Sequence, residues 1–190
     1  MKIFTIRHGQ TEWNVQRRLQ GHSDIALDDV GLEQARRIGL RLASEKVDII
    51  YTSDLMRAVK TAETINAHHG VEIIATPMLR EMSFGIYEGM NIEEIAHEID
   101  WEHPDGSSEN RTAAIKRIHS FLDEVIAKQH ENIFIVAHYG SIRAAIKYFL
   151  ETPREETADI QVGNTAIHCF ERDADGKFKM ILNNDTSHLL

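Results

Sequence analysis

The chain opens with a short apolar run that ends directly in charged and polar residues. MKIFTI is followed at once by Arg7 and His8, within the segment RHGQTEWN at residues 7–14. A guanidinium or an imidazole at the end of a buried strand is costly to bury unless another group pairs with it. A bound anion would provide that pairing. The N-terminal segment therefore favours a fold in which the first strand ends in an anion-binding pocket.

Short apolar runs alternate with longer segments of helical period, a pattern typical of a mainly parallel sheet covered on both faces. We predict strands over 3–6, 47–52, 71–75 and 132–137, and helices over 31–45, 53–70, 114–126 and 141–150. The segments 165–172 and 177–184, joined by DADG, predict a hairpin at one sheet edge. The predicted fold class is α/β, a three-layer α/β/α sandwich whose mainly parallel sheet has about six strands.

The two N-terminal helices show an apolar stripe, and the second also has recognisable ends. The stripe of the first comprises Leu32, Ala35, Ile38, Leu42 and Ala43, and that of the second Leu55, Ala58, Val59, Ala62 and Ile65. Ser53 or Asp54 is the predicted N-cap of the second helix and Gly70 its stop. Between 76 and 111 the periodicity weakens around a short helical segment, NIEEIAHEI, which predicts an irregular excursion over one end of the sheet.

Length and charge restrict the class of protein. The 190 residues favour one domain spanning 1–190, and the net charge of −9 argues against a nucleic-acid partner. No window approaches the ~18 continuous apolar residues of a spanning helix, so we expect no membrane partner. The single cysteine, Cys169, excludes an internal disulfide and favours a reducing compartment, so we expect a cytoplasmic protein. The oligomeric state stays open, a homodimer included.

Two further apolar runs end in the same way as the first. VDIIYT leads into SDLMR, which contains Arg57, and NIFIVA leads into His138. In open α/β sheets ligands bind at the carboxyl ends of parallel strands, where helix N-termini also direct N–H groups. We therefore expect these strand ends to surround one pocket. Its side chains would be Arg7, His8, Arg57 and His138.

Such a set of side chains suits a phosphate group. Guanidinium forks form charge-assisted, bidentate hydrogen bonds to phosphate oxygens. HExxH, paired-aspartate and cysteine-ligand patterns do not occur in the sequence, so we expect no metal and no cofactor. A GxxxxGK[ST] loop does not occur either. The phosphate is therefore expected to belong to the substrate rather than to a nucleotide.

The order of the polar segments resembles that of a known family. RHGQTEWN, LQGHSDIALDDVGLEQA, SDLMRAVKTAE, LREMSFGIYEG and VAHYGSIR occur in the order found in the histidine phosphatase superfamily, also called the phosphoglycerate mutase-like family. The resemblance runs from Lys2 to the terminal NDTSHL, essentially the whole chain. FGIYEG and NDTSHL look more like the broad-specificity and α-ribazole phosphatase branches. The resemblance implies a phosphoglycerate mutase-like sandwich with phosphatase activity on a small phosphorylated substrate.

The resemblance also implies a role for individual residues. His8 matches the nucleophile that forms a phosphohistidine, and Glu81 matches the proton donor to the leaving alcohol. The residues that match the phosphoryl clamp are Arg7, Arg57 and His138. The residues that match phosphate or substrate contacts are Asn14, Gln20 and Gly21.

Three features near the site need the structure to decide their roles. Glu88 follows Glu81 by seven residues, so both carboxyl groups are candidates for the general acid. Tyr139 stands where family members commonly carry glycine, and its ring is expected to shape the pocket of the leaving group. The basic pair Arg17 and Arg18 is either solvated charge or a site for a second anionic group of the substrate.

Three functions are compatible with these residues. A phosphomonoesterase without a metal is favoured, because EMSFGIYEGMN stands where mutases of the family carry a RHYG-type segment. A phosphoglycerate mutase that uses the same phosphohistidine is the first alternative. A non-catalytic module that binds phosphate or a phosphoprotein is the second, although a binding module needs neither the nucleophile His8 nor the acid Glu81.

Overall fold

The computed structural model describes residues 1–102, 107–128, 130–151 and 160–190. Within these ranges the strands form one six-stranded sheet of order β3-β2-β4-β1-β5-β6. The strands are β1 Lys2–Arg7, β2 Ile49–Ser53, β3 Glu72–Thr76, β4 Asn132–Ala137, β5 Ile167–Arg172 and β6 Phe178–Asp185. The mainly parallel sheet and its hairpin at one edge confirm the predicted topology.

The centre of the sheet aligns the strand ends that carry the predicted site. β4 lies between β1 and β2 and runs parallel to both. Arg7 pairs in register with Ala137, so His8 and His138 leave the sheet at the same level. β5 is antiparallel to β1 and pairs with β6 to form the hairpin.

The helices cover both faces of the sheet. They are α1 Glu12–Val15, α2 Asp29–Leu42, α3 Met56–Asn66, α4 Ile92–Ile95, α5 Arg111–Ala127 and α6 Tyr139–Leu150. On one face α2 and α3 pack against Phe4, Ile6 and other alternating strand residues. On the other face α5 and α6 pack against Ile3 and its equivalents on the neighbouring strands. These two apolar layers confirm the predicted α/β/α sandwich.

The apolar stripe predicted for α2 is wrong at two positions. Leu32 is 41% exposed, and Ala43 is also exposed. Gly31 and Gly39 share the buried face with the confirmed core positions Ala35, Ile38 and Leu42. A Cβ at Gly31 would collide with the carbonyl oxygen of Gln10, so the helix begins against backbone. The pattern of apolar side chains in the sequence could not predict this backbone contact.

The predicted N-cap of α3 is also wrong. Ser53 belongs to β2, and Leu55 occupies the cap position without a side-chain cap hydrogen bond. The N–H group of Met56 donates instead to Asp24 Oδ1 at 2.7 Å. A carboxylate distant in sequence therefore satisfies the helix start, which no local capping rule can anticipate. The predicted stop lies too far along the chain: α3 ends at Asn66 with Ala67 as its C-cap, and Gly70 adopts its positive φ of 69° in the turn that follows.

The predicted excursion contains short elements in its described part. It includes 3-10 helices at Pro77–Leu79 and Gly85–Tyr87 and the single helical turn α4. Elements of this size present backbone groups that need partners from the rest of the fold. In the described part of the chain, no helix has both the length and the apolarity needed to cross a membrane.

We expect Phe134→Ala to lower the free energy of unfolding by about 3–5 kcal/mol, because large-to-small changes in a core leave a cavity. Phe134 is fully buried on the central strand, and its ring centroid lies 5.0 Å from that of Phe4. Val30→Ala, on the exposed side of α2, is the control and should change it by about 0.5 kcal/mol or less. Urea unfolding measures both, and equal effects would contradict the described core.

Candidate active site

The ends of the central strands bring two imidazoles together. The ring centroids of His8 and His138 lie 5.1 Å apart, and both side chains are buried. The backbone N–H of His8 donates to the carbonyl of Ala137 at 3.0 Å, which extends the β1–β4 pairing by one residue. Arg57, in the first turn of α3, is buried beside them. The fold therefore brings together the side chains that we predicted, from the strand ends, to share one pocket.

These side chains line a cavity of about 290 Å³. Every predicted site residue contributes to it: Arg7, His8, Asn14, Gln20, Gly21, Arg57, Glu81, His138 and Tyr139. The remaining lining residues are Trp13, Arg17, Arg18, Leu19, Phe84 and Ile92. Sequence reasoning assigned no site role to Trp13, Leu19, Phe84 or Ile92, because apolar side chains at a pocket wall carry no chemical pattern of their own.

One hydrogen bond fixes the tautomer of His8. Its Nδ1 lies 2.7 Å from the carbonyl oxygen of Gly9. A carbonyl can only accept, so Nδ1 carries the proton and Nε2 keeps its lone pair. Burial lowers the pKa of His8 well below its usual range, and the charges of Arg57 and Arg7 lower it further. His8 is therefore a neutral imidazole with an unprotonated Nε2.

The second imidazole has the opposite tautomer. Arg57 Nε donates to His138 Nδ1 at 3.2 Å, so the proton of the neutral ring resides on Nε2. Burial first, then the neighbouring Arg57, lowers the pKa of His138 well below its usual range. His138 Nε2 is buried and has no hydrogen-bond partner among the described residues. This N–H group is therefore a donor prepared for a ligand atom.

The two guanidinium groups are held by backbone carbonyls. Arg57 donates to Ser23 at 2.8 Å and to Gly21 at 2.9 Å. Burial lowers its pKa to about 10, so the group is charged at neutral pH. Arg7 Nη1 donates to Val162 at 2.8 Å, while its buried Nε has no partner among the described residues. Both guanidinium groups are thus fixed in place, and among the described residues no carboxylate is hydrogen-bonded to either of them.

The two candidate acids occupy different surroundings. Glu81 lines the cavity, and its Oε2 accepts the N–H of Gly140 at 2.8 Å. Glu88 instead accepts the backbone N–H groups of His22, Ser23 and Phe84, at 2.8–3.2 Å. Its carboxylate therefore ties the segment around residue 22 to the excursion. The geometry puts Glu81, and not Glu88, on the cavity wall.

Position 139 differs from the expected glycine without blocking the backbone. Tyr139 is 45% exposed, and Arg7 Cζ and Arg143 Cζ each lie 5.6 Å from the centroid of its ring. The close approach occurs one residue later, since a Cβ at Gly140 would collide with Glu81 Oε1. Tyr139 therefore forms a wall of the cavity, and a side chain at position 140 would displace the Glu81 carboxylate.

Asn14 is oriented by its neighbours. Its Oδ1 accepts the backbone N–H of Thr11 at 3.1 Å and Asn164 Nδ2 at 3.2 Å. These donors fix the amide, so the Nδ2 group of Asn14 is directed away from them. Asn164 also donates to the carbonyl of His8 at 3.2 Å. The sequence analysis missed Asn164, and no motif around it signals this contact.

The basic pair lies at the cavity but is engaged. Arg17 pairs with Glu93, and Arg18 donates to Gln16 Oε1 at 2.7 Å and to the Gly89 carbonyl. These contacts do not favour the interpretation of Arg17 and Arg18 as free receptors for a second anion. Among the described residues, no group of three or more His, Cys, Asp or Glu side chains could hold a metal ion.

A second cavity of about 530 Å³ adjoins the first and shares part of its wall. The shared residues are Leu19, Glu81, Phe84, Ile92 and Tyr139. Beyond them α5 contributes both apolar side chains, Ile115 and Ile118, and cationic ones, Arg111 and Arg117, and α6 contributes Lys147. Glu81 thus stands where the smaller cavity opens into the larger one.

We expect ¹⁵N-detected NMR at pH 6.5 to show His8 as a neutral Nδ1–H ring and His138 as a neutral Nε2–H ring. The lowered pKa of both rings means that the proton is taken up only below the pH at which free histidine is half protonated. Free histidine in the same buffer is the reference. Protonated rings at pH 6.5, or identical tautomers, would contradict the assigned hydrogen bonds.

Named relatives align with nearly the whole chain. A protein of Hydrogenobacter thermophilus, provisionally named phosphoserine phosphatase 2, is 35% identical and covers 87% of each chain. A broad-specificity phosphatase of Saccharomyces cerevisiae is 32% identical over 100% of this chain and 87% of its own. Phosphoglycerate mutase-like protein 4 of Arabidopsis thaliana is 34% identical over 99% and 86%. The relatives thus bear both phosphatase and mutase names.

Solved structures share the fold. Phosphoserine phosphatase of Entamoeba histolytica, in complex with 3-phosphoglyceric acid, superposes with a TM-score of 0.85 at 30% identity, covering 100% of this chain and 99% of that one. A protein of Escherichia coli K-12, provisionally named α-ribazole-5′-P phosphatase, gives a TM-score of 0.89 at 25% identity, with 97% and 96% covered.

The family itself matches residues 3–186, from the first strand to the end of the last one. The resemblance drawn from the order of the polar segments is confirmed by this match. With the imidazole pair at the strand ends and the sandwich fold, the chain belongs to the histidine phosphatase superfamily (branch 1).

Proposed function

We propose that this protein is a phosphomonoesterase that hydrolyses a small phosphorylated metabolite through a phosphohistidine at His8. One observation carries the proposal: two neutral imidazoles of opposite tautomer face one cavity, one with a lone pair and the other with an N–H group. A nucleophile needs the lone pair, and a donor to a phosphoryl oxygen needs the N–H group. Its relatives named as phosphatases agree with this function.

In the first step Nε2 of His8 attacks phosphorus as the bond to the leaving oxygen breaks. Glu81, at the boundary between the two cavities, donates its proton to that oxygen, so a neutral alcohol leaves. The Nδ1–H bond to Gly9 keeps the ring oriented and stabilises the cationic phosphoimidazole that forms. The product is an N–P bond at His8 and a carboxylate at Glu81.

In the second step water replaces the alcohol. The Glu81 carboxylate accepts a proton from water as the water oxygen attacks phosphorus, and the N–P bond breaks. The electron pair returns to Nε2 of His8, inorganic phosphate leaves, and Glu81 is again protonated. Atoms and charges balance over the two steps without a further reactant.

The remaining side chains would stabilise the phosphoryl group. Arg7 Nε and the Nε2–H group of His138 are buried donors without partners among the described residues, and both border the cavity. Thr11 and Asn164 bind Oδ1 of Asn14, which directs its Nδ2 group away from them as a donor to a phosphoryl oxygen. Arg57 would act mainly by its charge and by holding the His138 ring, because three of its N–H groups already bind protein atoms.

The composition of the sequence supports a proposal for the cellular location and the partners of the enzyme. We place it in the cytoplasm, as a protein without nucleic-acid or membrane partners that is free to form a homodimer. Support comes from the net charge of −9 and from Cys169, which is buried and has no second cysteine to pair with. The reaction proposed needs no metal ion, so activity in the presence of EDTA tests that part directly.

The mutase alternative differs only in the acceptor of the phosphoryl group. Relatives named as phosphoglycerate mutases keep this alternative open. Against it stands EMSFGIYEGMN at the cavity, in place of the segment expected of a mutase. Turnover with 3-phosphoglycerate and 2,3-bisphosphoglycerate separates the two, since a mutase forms 2-phosphoglycerate faster than inorganic phosphate. A phosphate-binding module would bind stoichiometrically without turnover.

We expect the wild-type protein to hydrolyse p-nitrophenyl phosphate in the presence of EDTA and His8→Ala to lose at least about 10³-fold of kcat, because the covalent intermediate cannot form. Labelling with ³²P-phosphoester should mark the wild type and not the variant. The control is His97→Ala, an exposed position away from the cavity lining. Ordinary turnover or labelling by His8→Ala would exclude His8 as nucleophile.

We expect Glu81→Gln to slow alkyl phosphates about 10²-fold or more and p-nitrophenyl phosphate much less, because p-nitrophenolate leaves without protonation. Glu88→Gln is the matched control. It weakens a loop contact, so its losses should be equal on both substrates. A leaving-group-dependent loss in Glu88→Gln, with none in Glu81→Gln, would transfer the acid role to Glu88.

A further inference from the structure

Glu81 lies on a segment that has no regular secondary structure of its own. It follows the 3-10 helix Pro77–Leu79 and precedes the next one at Gly85–Tyr87. The carbonyl groups of such a segment are not satisfied by a helix or a ladder and need donors from elsewhere. A proton donor must also be held within a fraction of an ångström of its productive position. The contacts of this segment therefore decide how well Glu81 can act.

One arginine of α5 contacts three carbonyls of this region. Arg117 Nη1 donates to the Met78 carbonyl at 2.8 Å and to the Arg80 carbonyl at 3.0 Å. Arg117 Nη2 lies 3.4 Å from the carbonyl oxygen of Glu81 itself. A single guanidinium thus contacts three carbonyls within four consecutive residues, so it fixes the path of the backbone that carries the acid.

A carboxylate orients this guanidinium. Glu109 accepts from Arg117 Nε at 2.9 Å and from Nη2 at 2.7 Å, and the two side chains are only 20% and 18% exposed. A bidentate pair of this type fixes the plane of the guanidinium. Glu109 also joins the segment directly, since its N–H donates to the Ser83 carbonyl at 2.9 Å. The pair therefore connects the start of α5 with the backbone on both sides of Glu81.

The side chain of Glu81 has anchors of its own: the N–H of Met82 binds Oε1 at 2.9 Å, and the start of α6 binds the other oxygen. Gly140 N–H binds its Oε2, and Ser141 Oγ donates to the Arg80 carbonyl at 2.8 Å. The Arg80 side chain forms a bidentate pair with Asp54 at 2.7 and 2.6 Å. The start of α6 therefore holds the carboxylate and one backbone carbonyl, whereas the Arg117 contacts from α5 are to the backbone alone.

We infer that Arg117, oriented by Glu109, is a positioning residue for the acid–base step of Glu81. The inference rests on the proposed function, because it assigns Arg117 to the proton transfer in that mechanism. Arg117 borders the larger cavity of about 530 Å³ but not the cavity of about 290 Å³ that holds His8, so its removal should leave attack by the nucleophile intact. The loss should fall on the reactions that need a proton at the leaving oxygen.

The test compares substrates of different leaving-group basicity. For Arg117→Met we expect kcat/KM to fall about 10- to 100-fold with phosphoserine or glycerol phosphate, a range typical of a reacting group displaced by about 1 Å. With p-nitrophenyl phosphate the fall should be about threefold or less, because that leaving group needs no acid. Glu109→Gln should show the same split to a smaller degree, because it keeps the shape of the pair and removes its charge.

Controls separate positioning from general damage. Arg36→Met removes a comparable bidentate pair with Glu33 on the exposed face of α2 and should change neither substrate. The double variant Glu81→Gln with Arg117→Met should lose no more on alkyl phosphates than Glu81→Gln alone, because two residues that act on one step are not additive. Arg117→Lys should restore part of the loss.

Three results would overturn the inference. Equal losses on both substrates in Arg117→Met and Glu109→Gln would mean that the pair is only structural. Unchanged alkyl phosphate turnover would mean that the pair has no role in the acid step. Additive losses in the double variant would separate the two residues. Failure of the proposed function would look different, since the wild type itself would then release no phosphate from any substrate.

Discussion

The hydrogen bond from Arg57 Nε to His138 Nδ1 is the interaction on which the site depends. A buried guanidinium must satisfy its donors, and Arg57 does so with the His138 ring and the carbonyls of Gly21 and Ser23. The bond sets the His138 tautomer, and the charge favours neutral imidazoles on both sides. The contacts that hold Arg57 in place therefore also keep the two imidazoles neutral. Burial and charge together lower the pKa of both rings.

The site is assembled from two kinds of structure. The strand ends of the parallel sheet place His8, Arg57 and His138, and the sheet register leaves them little freedom. Glu81 comes from an irregular segment that two different helices hold, α6 at the carboxylate and α5 at the backbone. In the proposed mechanism, a nucleophile fixed by the sheet and an acid supported separately allow the leaving-group cavity to vary while the phosphoryl site stays the same. Such a division suits a family whose relatives bear the names of different reactions.

The mainly parallel six-stranded sheet, the two apolar layers and the terminal hairpin could be predicted, because strand and helix periods report directly on burial. Errors arose where a distant group replaced a local one. Asp24 satisfies the start of α3 that Ser53 or Asp54 was expected to cap. The Gln10 backbone occupies the space beside Gly31 that a side-chain stripe was expected to fill. Within the site, Asn164 could not be foreseen, since it meets Asn14 and the His8 carbonyl only through the fold.

The sequence by itself determined which side chains meet, because residues that follow adjacent parallel strands must lie at one edge of the sheet. It also determined the family, through the order of segments around Arg7, His8, Arg57, Glu81 and His138. Only the tertiary structure decided what each group can do there. The proton positions on His8 and His138, and the separation of Glu81 from Glu88, depend on single hydrogen bonds between segments far apart in the chain. Such bonds leave no periodic trace in a sequence, since each is formed once and has no repeat to read.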